Sequence, residues 1–523
     1  MLTRDENVPP DPVAAPPTVW RPSTSLLLAG LILGAFLIRC LGLFSDPVWI
    51  DEAASIGIGS LPWSVLFGEM ARIEASPPGY YAIAKLVGIA AGQGGAPLRL
   101  LSAAAAALSI LPLWIFCREA FGLRAAWLAG LIIALHALLF RMSQDGRTYA
   151  VLFFVFCCAL LAAWRLTEAA RRGEAGVPAV IALGVCQGGM LWLHHTAGIA
   201  DLALNVFVVA LLLAAQQGIG RGIALLVAAD LMGLLIGAAP IWWALQHAME
   251  GAFVTRWIAP PDLEDVALIY IRGLVAPFHS PISVLTGLLS IAGVLIGLHA
   301  RHHEGWPARV ALVALLGTAA ILFPVLSQSW PVMLERTVLF MVAPLAASIA
   351  AGIALLPRRV FLGCAALLVG LHGFGIVRYL DWPAHKERWD HAAVLLQSQA
   401  SPNDRIVVTD SVFAAISLRM AATARGGLSA PILVVPAASP LEQRSAALLD
   451  PEGDTSVDAL CTRLRGAATV WVVARPVPPI VESDPGFSTL SAVRAVLRAA
   501  GGQIIFESSM ITVDIERWRV PGC

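Results

Sequence analysis

Two short polar segments carry the residues of this chain that are best suited to chemistry. Asp51 and Glu52 directly follow the first apolar segment, and Asp145 and Arg147 lie in the sequence Ser-Gln-Asp-Gly-Arg-Thr-Tyr at 143–149. Carboxylates at a membrane surface are costly to keep there unless they are solvated or paired, so they are functional candidates. Asp51 and Glu52 are candidates for a general base that takes the proton of a hydroxyl. Asp145 is a second carboxylate for the same cavity.

Two arginines are candidates for binding an anion. Arg147 and Arg336 suit a phosphate, because a planar guanidinium makes two parallel bonds to phosphate oxygens and stays protonated. Such a pair stabilises a departing phosphate without an added metal. Two alternatives stay open: Asp145 and Arg147 could form an ion pair within their loop, and Arg336, which follows Glu335, could extend to the membrane interface.

Histidines and cysteines give a weaker signal. His194 and His195 end an apolar segment, where they could bind a substrate or a metal, or be satisfied by interfacial water. Six of the eight cysteines lie in apolar segments, where cysteine packs as a small hydrophobe. Cys461 and Cys523 lie in the C-terminal region and could pair with each other. Nothing resembles a metal-binding pattern, so no metal site is expected.

Composition predicts a polytopic α-helical membrane protein. Hydrophobic residues make up 58% of the chain and charged residues 13%, and the mean hydropathy is +0.77. Soluble proteins are typically about 25% charged. The formal net charge is zero, so no overall field favours nucleic acid as a partner.

The apolar segments predict about 11 transmembrane helices, each close to the length that spans a bilayer. Segment 80–91 is too short and is expected to be interfacial or re-entrant. With a cytoplasmic N-terminus, every inner loop contains at least one arginine, as the positive-inside rule requires. The eleven predicted spans are 24–43, 98–117, 123–140, 149–166, 177–193, 198–215, 222–245, 281–299, 308–326, 337–356 and 360–377.

This topology predicts three regions: a disordered cytoplasmic tail (1–23), a transmembrane catalytic domain (24–379) and an α/β domain (380–523) on the outer face. In a bacterium that face is periplasmic. No glycine-rich phosphate loop follows a strand, so nucleotide binding is not expected. The α/β domain is predicted to contain helices 389–399 and 492–500 and strands 405–409, 431–435, 469–473, 503–506 and 510–515.

Together these residues resemble the GT-C glycosyltransferases, in particular glycosyltransferase family 39 and its relatives. These include protein O-mannosyltransferases, lipid A aminoarabinose transferase, and the lipopolysaccharide galacturonosyl- and mannosyltransferases. Two positions depart from the family pattern: Ser76 replaces a histidine, and Thr337 replaces an aromatic residue. The stretches that carry the resemblance are Asp51-Glu52, 76–81 (Ser-Pro-Pro-Gly-Tyr-Tyr), 143–149 and 335–344, which contains Arg336.

The resemblance implies a polyprenyl-phosphate-linked sugar as donor, a lipid, glycan or protein as acceptor, and no cofactor. It implies that Asp51 is the catalytic base of a single inverting displacement, which needs a base on the face opposite the leaving group. Glu52 and Asp145 would position the acceptor or sugar. It also implies a GT-C fold in a bacterial inner membrane. The substrate-binding residues it implies are Asp145, Arg147, Tyr149, Arg336, Tyr81 and His195.

Two other functions stay open at this point. A transporter or flippase for lipid-linked sugars would be expected to show internal repeats and charges near the middle of the membrane. The acidic residues inside the spans are Asp201 and Asp230. An O-antigen ligase or polymerase would place its key residues in a large late outer loop, for which 246–280 is the candidate.

Overall fold

The structure is a computed structural model that describes most of the chain. The described residues are 22–74, 76–249, 258–275, 281–381, 386–467, 469–476, 482, 484–486, 488–510 and 512–523. The predicted disordered tail therefore lies outside them except for its last two residues, as do 250–257 and 276–280 of the predicted loop 246–280. The described part of that loop contains a helix that begins with a capping box between Asp262 and Asp265.

The described residues between 22 and 380 form mainly helices. Two π-helical turns (Leu66–Met70 and Ile271–Val275) and a 3-10 turn (Leu339–Met341) lie between them. The α-helices are α1 Pro22–Arg39, α2 Ile50–Ser60, α3 Trp63–Val65, α4 Ala71–Ile73, α5 Gly79–Ala91, α6 Gly95–Leu108, α7 Ile110–Phe121, α8 Leu123–Leu135, α9 Ala137–Ser143, α10 Tyr149–Arg171, α11 Val177–Leu193, α12 Ala197–Ala215, α13 Ile219–Ile236, α14 Ala238–Met249, α15 Leu263–Tyr270, α16 Pro281–His299, α17 Trp306–Ser327, α18 Val342–Ile353 and α19 Arg358–Leu380.

The apolar helices coincide with the predicted segments. Each of the eleven predicted spans contains a helix, and the short segment 80–91 corresponds to the 13-residue α5. Within the described residues, six helices are long and apolar enough to cross a membrane, or seven if the bent pair α8–α9 is one span. Helices such as α1 and α11 are apolar but shorter, so the count of eleven stays a prediction.

A bend between α8 and α9 directs the chain toward α2. The two helices meet at 55°, which leaves carbonyl groups at the end of α8 without partners in the helix. The fully buried Arg39 supplies these partners: its Nη2 donates to the Ile133 carbonyl (2.8 Å) and its Nη1 to the Ala134 carbonyl (2.9 Å). The loop 143–149 therefore follows α9 beside the first turn of α2.

The C-terminal region forms a mixed five-stranded sheet in the order β2-β1-β3-β5-β4. Strands β1 to β3 are parallel, and β5 pairs antiparallel with β3 and β4. Its elements are α20 Trp389–Gln399, β1 Arg405–Asp410, α21 Val412–Thr423, β2 Ile432–Pro436, α22 Pro440–Leu449, α23 Leu460–Arg463, β3 Val470–Ala474, α24 Leu490–Ala499, β4 Gln503–Met510 and β5 Val513–Arg519.

The predicted strands are confirmed, but the last boundary was wrong. Met510 was expected to open the final strand, whereas it ends β4 and pairs with Val513 across a tight turn. Thr512 has a φ of 64° in this turn, a backbone conformation typical of short hairpins. The polar residues before Met510 were misread as a loop, because an edge strand tolerates polar side chains. Helices α21 and α22 were not predicted.

Helix α2 shares a hydrophobic core with the C-terminal region. Ile58 packs in one cluster with Trp389 and Phe413, and all three are buried. A Cβ atom at Gly57 would lie 3.0 Å from Cδ1 of Leu449, so glycine permits this close approach. The helix that carries both candidate catalytic carboxylates is therefore in direct contact with the C-terminal region.

The predicted pairing of the two C-terminal cysteines is confirmed. Cys461 and Cys523 form a disulfide that joins α23 to the end of the chain, 62 residues apart in sequence. The bond therefore links the segment before β3 to the segment after β5.

Candidate active site

Asp51 and Glu52 occupy the first turn of α2, where the helix dipole favours negative charge. Adjacent helical residues point about 100° apart, and this rotation separates the two carboxylates. The side chain of Glu52 is 0% exposed, whereas that of Asp51 is 29% exposed. Asp51 is therefore the carboxylate of the pair that a substrate can reach.

Glu52 accepts four bonds in a buried ion cluster. Arg99 on α6 donates from Nε to Glu52 Oε1 (2.8 Å) and from Nη2 to Oε2 (2.5 Å). Oε1 also accepts the Gly146 amide (2.8 Å) and lies 3.0 Å from Lys386 Nζ. Burial on its own would raise the pKa of Glu52, but Lys386 and Arg99 outweigh burial and lower this pKa. Glu52 is thus an anion whose two oxygens already accept bonds from the protein. This arrangement suits a residue that holds the site together.

Asp145 joins this cluster through the same lysine. Lys386 Nζ lies 3.0 Å from Asp145 Oδ1 and donates to the Gln144 carbonyl at 2.9 Å. The side-chain amide of Gln144 donates to the Leu41 carbonyl at 2.6 Å, which fixes the loop against the end of the first helical segment. Because its partner is Lys386, the geometry favours this cluster over an ion pair between Asp145 and Arg147 within the loop.

Arg147 links the loop 143–149 to α2. Its Nη1 donates to the Asp51 carbonyl (3.0 Å) and to Ser55 Oγ (3.1 Å). Its Nε is buried and has no hydrogen-bond partner among the described residues. Arg147 therefore fixes the loop against the first turn of α2 and places its positive charge beside Asp51.

Arg336 approaches Asp51 from the loop between α17 and α18. Its Nη1 lies 4.0 Å from Asp51 Oδ2, and its Cζ lies 5.8 Å from the centre of the Tyr149 ring. A guanidinium over an aromatic face is stabilised by a cation–π interaction. The preceding Glu335 pairs with Arg141 at 2.8 Å. These contacts favour a place in the site over the alternative that Arg336 extends to the membrane interface.

Tyr149 and Tyr81 lie at the same centre. Tyr149 is buried beneath Arg336 and faces His194, with 5.7 Å between the ring centres. Tyr81 is also buried, and burial raises the pKa of its hydroxyl against the opposing effect of Arg147. The two phenol rings therefore lie beside the two arginines, Tyr149 beside Arg336 and Tyr81 beside Arg147.

His195 lies beside this centre, in an aromatic wall. Its ring centre is 6.4 Å from that of Trp330 and 6.4 Å from that of His247. Burial lowers the pKa of the neighbouring His194 to about 3, so that imidazole is neutral at physiological pH. The wall is suited to contacts with a neutral ring or an apolar group.

Glu74, which was not a candidate from the sequence, lies near enough to Arg147 and Asp51 for their charges to affect its pKa. It follows α4, and its Oε1 accepts the Ser76 amide at 3.0 Å. Burial raises the pKa of Glu74; the Ser76 amide and Arg147 oppose this rise, and Asp51 adds to it. Glu74 is therefore a further acidic group near the centre, and it holds a proton more tightly than an ordinary glutamic acid.

Glu442, in the first turn of α22, gives the fold a pH dependence. Burial raises its pKa to about 8, and the charges of Glu74 and Asp410 add to the rise. A carboxyl whose pKa is raised on folding stabilises the protein below its unfolded pKa of about 4.3, and this stability is lost as the pH rises through the folded value. We expect Glu442→Gln to flatten the fall of Tm from about pH 5 to 9 and to add about 1–2 kcal/mol of stability at pH 9.

Thermal unfolding in detergent at several pH values checks this expectation. Glu452→Gln is the matched control, because Glu452 is exposed in the same region of the chain. The control should follow the wild-type curve. A Glu442→Gln curve as steep as the wild type would assign the titration to other groups.

Arg99 and Lys386 were missed because their positions had simpler explanations. An arginine at the start of a span is expected for interfacial reasons alone, and Lys386 lies far from the other site residues in sequence. One signal was present for Lys386: the chain contains 35 basic residues, and only Lys85 and Lys386 are lysines. Within the described residues, no group of three or more histidine, cysteine, aspartate or glutamate side chains could hold a metal ion.

Comparison with known proteins identifies the fold. No known family profile matches the sequence, and no curated protein matches it significantly. Among solved structures, ArnT from Cupriavidus metallidurans in the apo state is similar, with 15% identity and a TM-score of 0.61 over 95% of this chain and 98% of that chain. The same protein bound to undecaprenyl phosphate has a TM-score of 0.57 at 14% identity, with the same shares covered.

A second similar protein is the oligosaccharyltransferase AglB from Archaeoglobus fulgidus, solved with an inhibitory peptide and a dolichol-phosphate. It has 12% identity and a TM-score of 0.52 over 95% of this chain and 74% of that chain. At these identities the likeness concerns the fold. The chain therefore has the GT-C fold, which ArnT and AglB share.

Proposed function

We propose that this chain is a membrane glycosyltransferase that moves a sugar from a polyprenyl-phosphate donor to a lipid, glycan or protein acceptor. The observation that carries the proposal is the grouping of one accessible carboxylate, Asp51, with two arginines. Asp51 Oδ2 lies 4.0 Å from Arg336 Nη1, and its carbonyl accepts Arg147 Nη1 at 3.0 Å. The fold neighbours support the donor class, since ArnT has been solved with undecaprenyl phosphate and AglB with a dolichol-phosphate.

The reaction that fits these groups is a single inverting displacement. The Asp51 carboxylate takes the proton of the acceptor hydroxyl while the oxygen of that hydroxyl forms a bond to the anomeric carbon of the sugar. The bond from that carbon to the phosphate oxygen breaks, and its electron pair leaves with the polyprenyl phosphate. Arg147 and Arg336 bind the phosphate and stabilise the charge that develops on it.

The remaining predicted residues have supporting roles in this proposal. Glu52 and Asp145 hold the first turn of α2 and the loop 143–149 in place through Lys386. Tyr149 and Tyr81 line the site and His195 an adjoining wall, where they contact the sugar or the lipid.

The proposed location is the inner membrane of a bacterium, with 1–23 in the cytoplasm, 24–379 as the membrane domain and 380–523 in the periplasm. The arginines of the inner loops support this orientation. The disulfide between Cys461 and Cys523 supports an oxidising compartment for the C-terminal region, because disulfides are rare in the cytosol.

A transporter for lipid-linked sugars is the second candidate, favoured by a polar network inside the membrane helices. Asp230 on α13 accepts Gln187 on α11 (2.8 Å) and Asn205 on α12 (3.1 Å). Charged groups within spans often line transport paths. A network whose members bond to each other also serves to join helices, so the carboxylate–arginine centre carries more weight.

The test is a transfer assay with the purified protein in liposomes. Radiolabelled polyprenyl-phosphate sugars are supplied with a total lipid and lipopolysaccharide extract or a protein acceptor, and label is followed in the acceptor fraction and across the bilayer. Label that moves to an acceptor supports the enzyme, and chromatography of the product identifies sugar and acceptor. Movement of intact donor across the bilayer without transfer would instead identify a transporter, and joining of whole glycan chains a ligase.

A further inference from the structure

A short segment of the C-terminal region enters the membrane domain's ion cluster. This segment, Lys386 and Glu387, is called the strap; it lies just before α20 (Trp389–Gln399). We propose that Lys386 and Glu387 of the strap are positioning residues, through which the C-terminal region sets the geometry of the catalytic carboxylate and its arginines. The expected effect on the rate of transfer rests on the proposed function. The expected effect on the position of α2 rests on the contacts of Lys386 and Glu387 alone.

The ammonium group of Lys386 is buried and has three oxygen atoms within 3.0 Å. An ammonium group has three N–H donors. Its Nζ donates to Glu52 Oε1 at 3.0 Å and to the Gln144 carbonyl at 2.9 Å, and it forms an ion pair with Asp145 Oδ1 at 3.0 Å. The side chain is 5% exposed. Two buried carboxylates on neighbouring segments would repel each other without this cation, so Lys386 allows them to approach.

The two carboxylates that contact Lys386 lie next in sequence to the proposed base, Asp51, and close to the phosphate-binding Arg147. Glu52 is the residue after Asp51 on α2, and Asp145 lies two residues before Arg147 on the loop 143–149. Lys386 therefore joins the segment that carries the proposed base to the segment that carries a phosphate-binding arginine. A misplacement of about 1 Å between such groups is enough to lower a rate by about 10²-fold.

Glu387 fixes the start of α2 from the other side. The first N–H groups of a helix need partners outside the helix, and the side chain of Trp49, the residue before α2, bonds to none of them within the described structure. Glu387 Oε2 accepts the Ile50 amide at 3.0 Å and Trp389 Nε1 at 2.8 Å. Its Oε1 lies 3.2 Å from Nε of Arg475, which directly follows β3. The N-terminus of α2 is thus capped by a carboxylate that is itself held by the sheet.

The strap makes the C-terminal region part of the catalytic apparatus and not only a cover or an acceptor-binding surface. A change in the strap should then act on Glu52 and Asp51 with no contact to substrate. A purely structural role for the strap would instead lower the amount of active enzyme and leave its pH dependence unchanged.

The pH profile separates these roles, because Lys386 is the charge that most lowers the pKa of Glu52. Without Lys386, Glu52 takes up a proton at higher pH. The acidic limb of the pH profile of kcat therefore shifts to higher pH. The charged and titratable groups that face Glu52 are Arg99 on α6, Lys386 on the strap, Asp145 on the loop 143–149, Tyr80 on α5 and Asp51 beside it on α2.

The experiment compares Lys386→Met, Lys386→Arg and Glu387→Gln with the control Arg388→Met, whose ion pair with Asp390 lies outside the cluster. We expect Lys386→Met to lower kcat by about 10²-fold, with a smaller change in KM for the donor, and to shift the acidic limb to higher pH. Lys386→Arg should keep the limb in place but not the full kcat, since a planar guanidinium does not reproduce three tetrahedral donors. The control should match the wild type.

A second measurement does not depend on activity. Amide hydrogen exchange of the first turn of α2 should be faster in Lys386→Met and Glu387→Gln than in the wild type, and unchanged in Arg388→Met. Slower transfer with an unmoved acidic limb, or equal exchange in all variants, would overturn the proposal. A wild type that transfers no sugar would refute the proposed function, and the exchange data alone would then decide whether the strap holds α2.

Discussion

On the proposed function, we expect Asp51→Asn to lower sugar transfer strongly while the protein remains folded. Loss of a positioned general base typically costs about 10²–10⁴-fold in rate, and the asparagine amide cannot take the proton of the acceptor. The side chain of Asp51 is 29% exposed, and its paired cation, Arg336, is 4.0 Å away. A partly exposed pair at this distance contributes about 0–1 kcal/mol, so thermal unfolding should change little. Single-turnover transfer with the wild type's donor measures the effect.

The matched control is Asp46→Asn in the same loop. Asp46 contributes its backbone carbonyl to Arg99 (2.8 Å), and this bond survives the substitution. Asp46→Asn should therefore retain wild-type transfer. Transfer that persists in Asp51→Asn would show that Asp51 is not the base. Glu74, whose pKa is affected by the charges of Arg147 and Asp51, would then be the candidate for that role.

The candidate residues that the sequence singled out have a local signal, whereas those it missed are recognised only by contacts between distant parts of the chain. Asp51 and Arg147 were recognisable because charged residues next to apolar segments are costly and rare. The separation of Asp51 from Glu52 was not recognisable, since it depends on which side of α2 faces Arg99 and Lys386. Lys386 lies 334 residues from Glu52 in sequence, and no local pattern connects positions so far apart.

The fold shows the same division. Long apolar segments predicted the long helices, because this signal is local and strong. The bend between α8 and α9 depends on Arg39 of α1, which bonds the carbonyls of Ile133 and Ala134. A tertiary partner of this kind leaves no mark in the bent segment itself. The hairpin at Met510 was misplaced for a related reason: its strand identity comes from pairing with β5.

Arg99→Leu is expected to cause the largest loss of stability among single substitutions at this site. All five N–H donors of a guanidinium are used by Arg99. Two bond to Glu52 (2.8 and 2.5 Å), and three bond to the carbonyls of Leu43, Asp46 and Pro47 at 2.8–3.0 Å. Leucine would leave Glu52 with Lys386 as its remaining cation and three carbonyls without partners. Removing one partner of a buried ion pair costs about 3–5 kcal/mol.

Thermal and denaturant unfolding in detergent, with Arg141→Leu as control, measure this loss. Arg141 pairs with Glu335 at 2.8 Å, but its side chain is 44% exposed, so its loss should cost about 1 kcal/mol or less. The double variant Glu52→Leu/Arg99→Leu should regain part of the stability, because it removes the buried charge that the single change leaves under-compensated. Equal losses for Arg99→Leu and Arg141→Leu would contradict the role of Arg99 as the residue that organises the loop between α1 and α2.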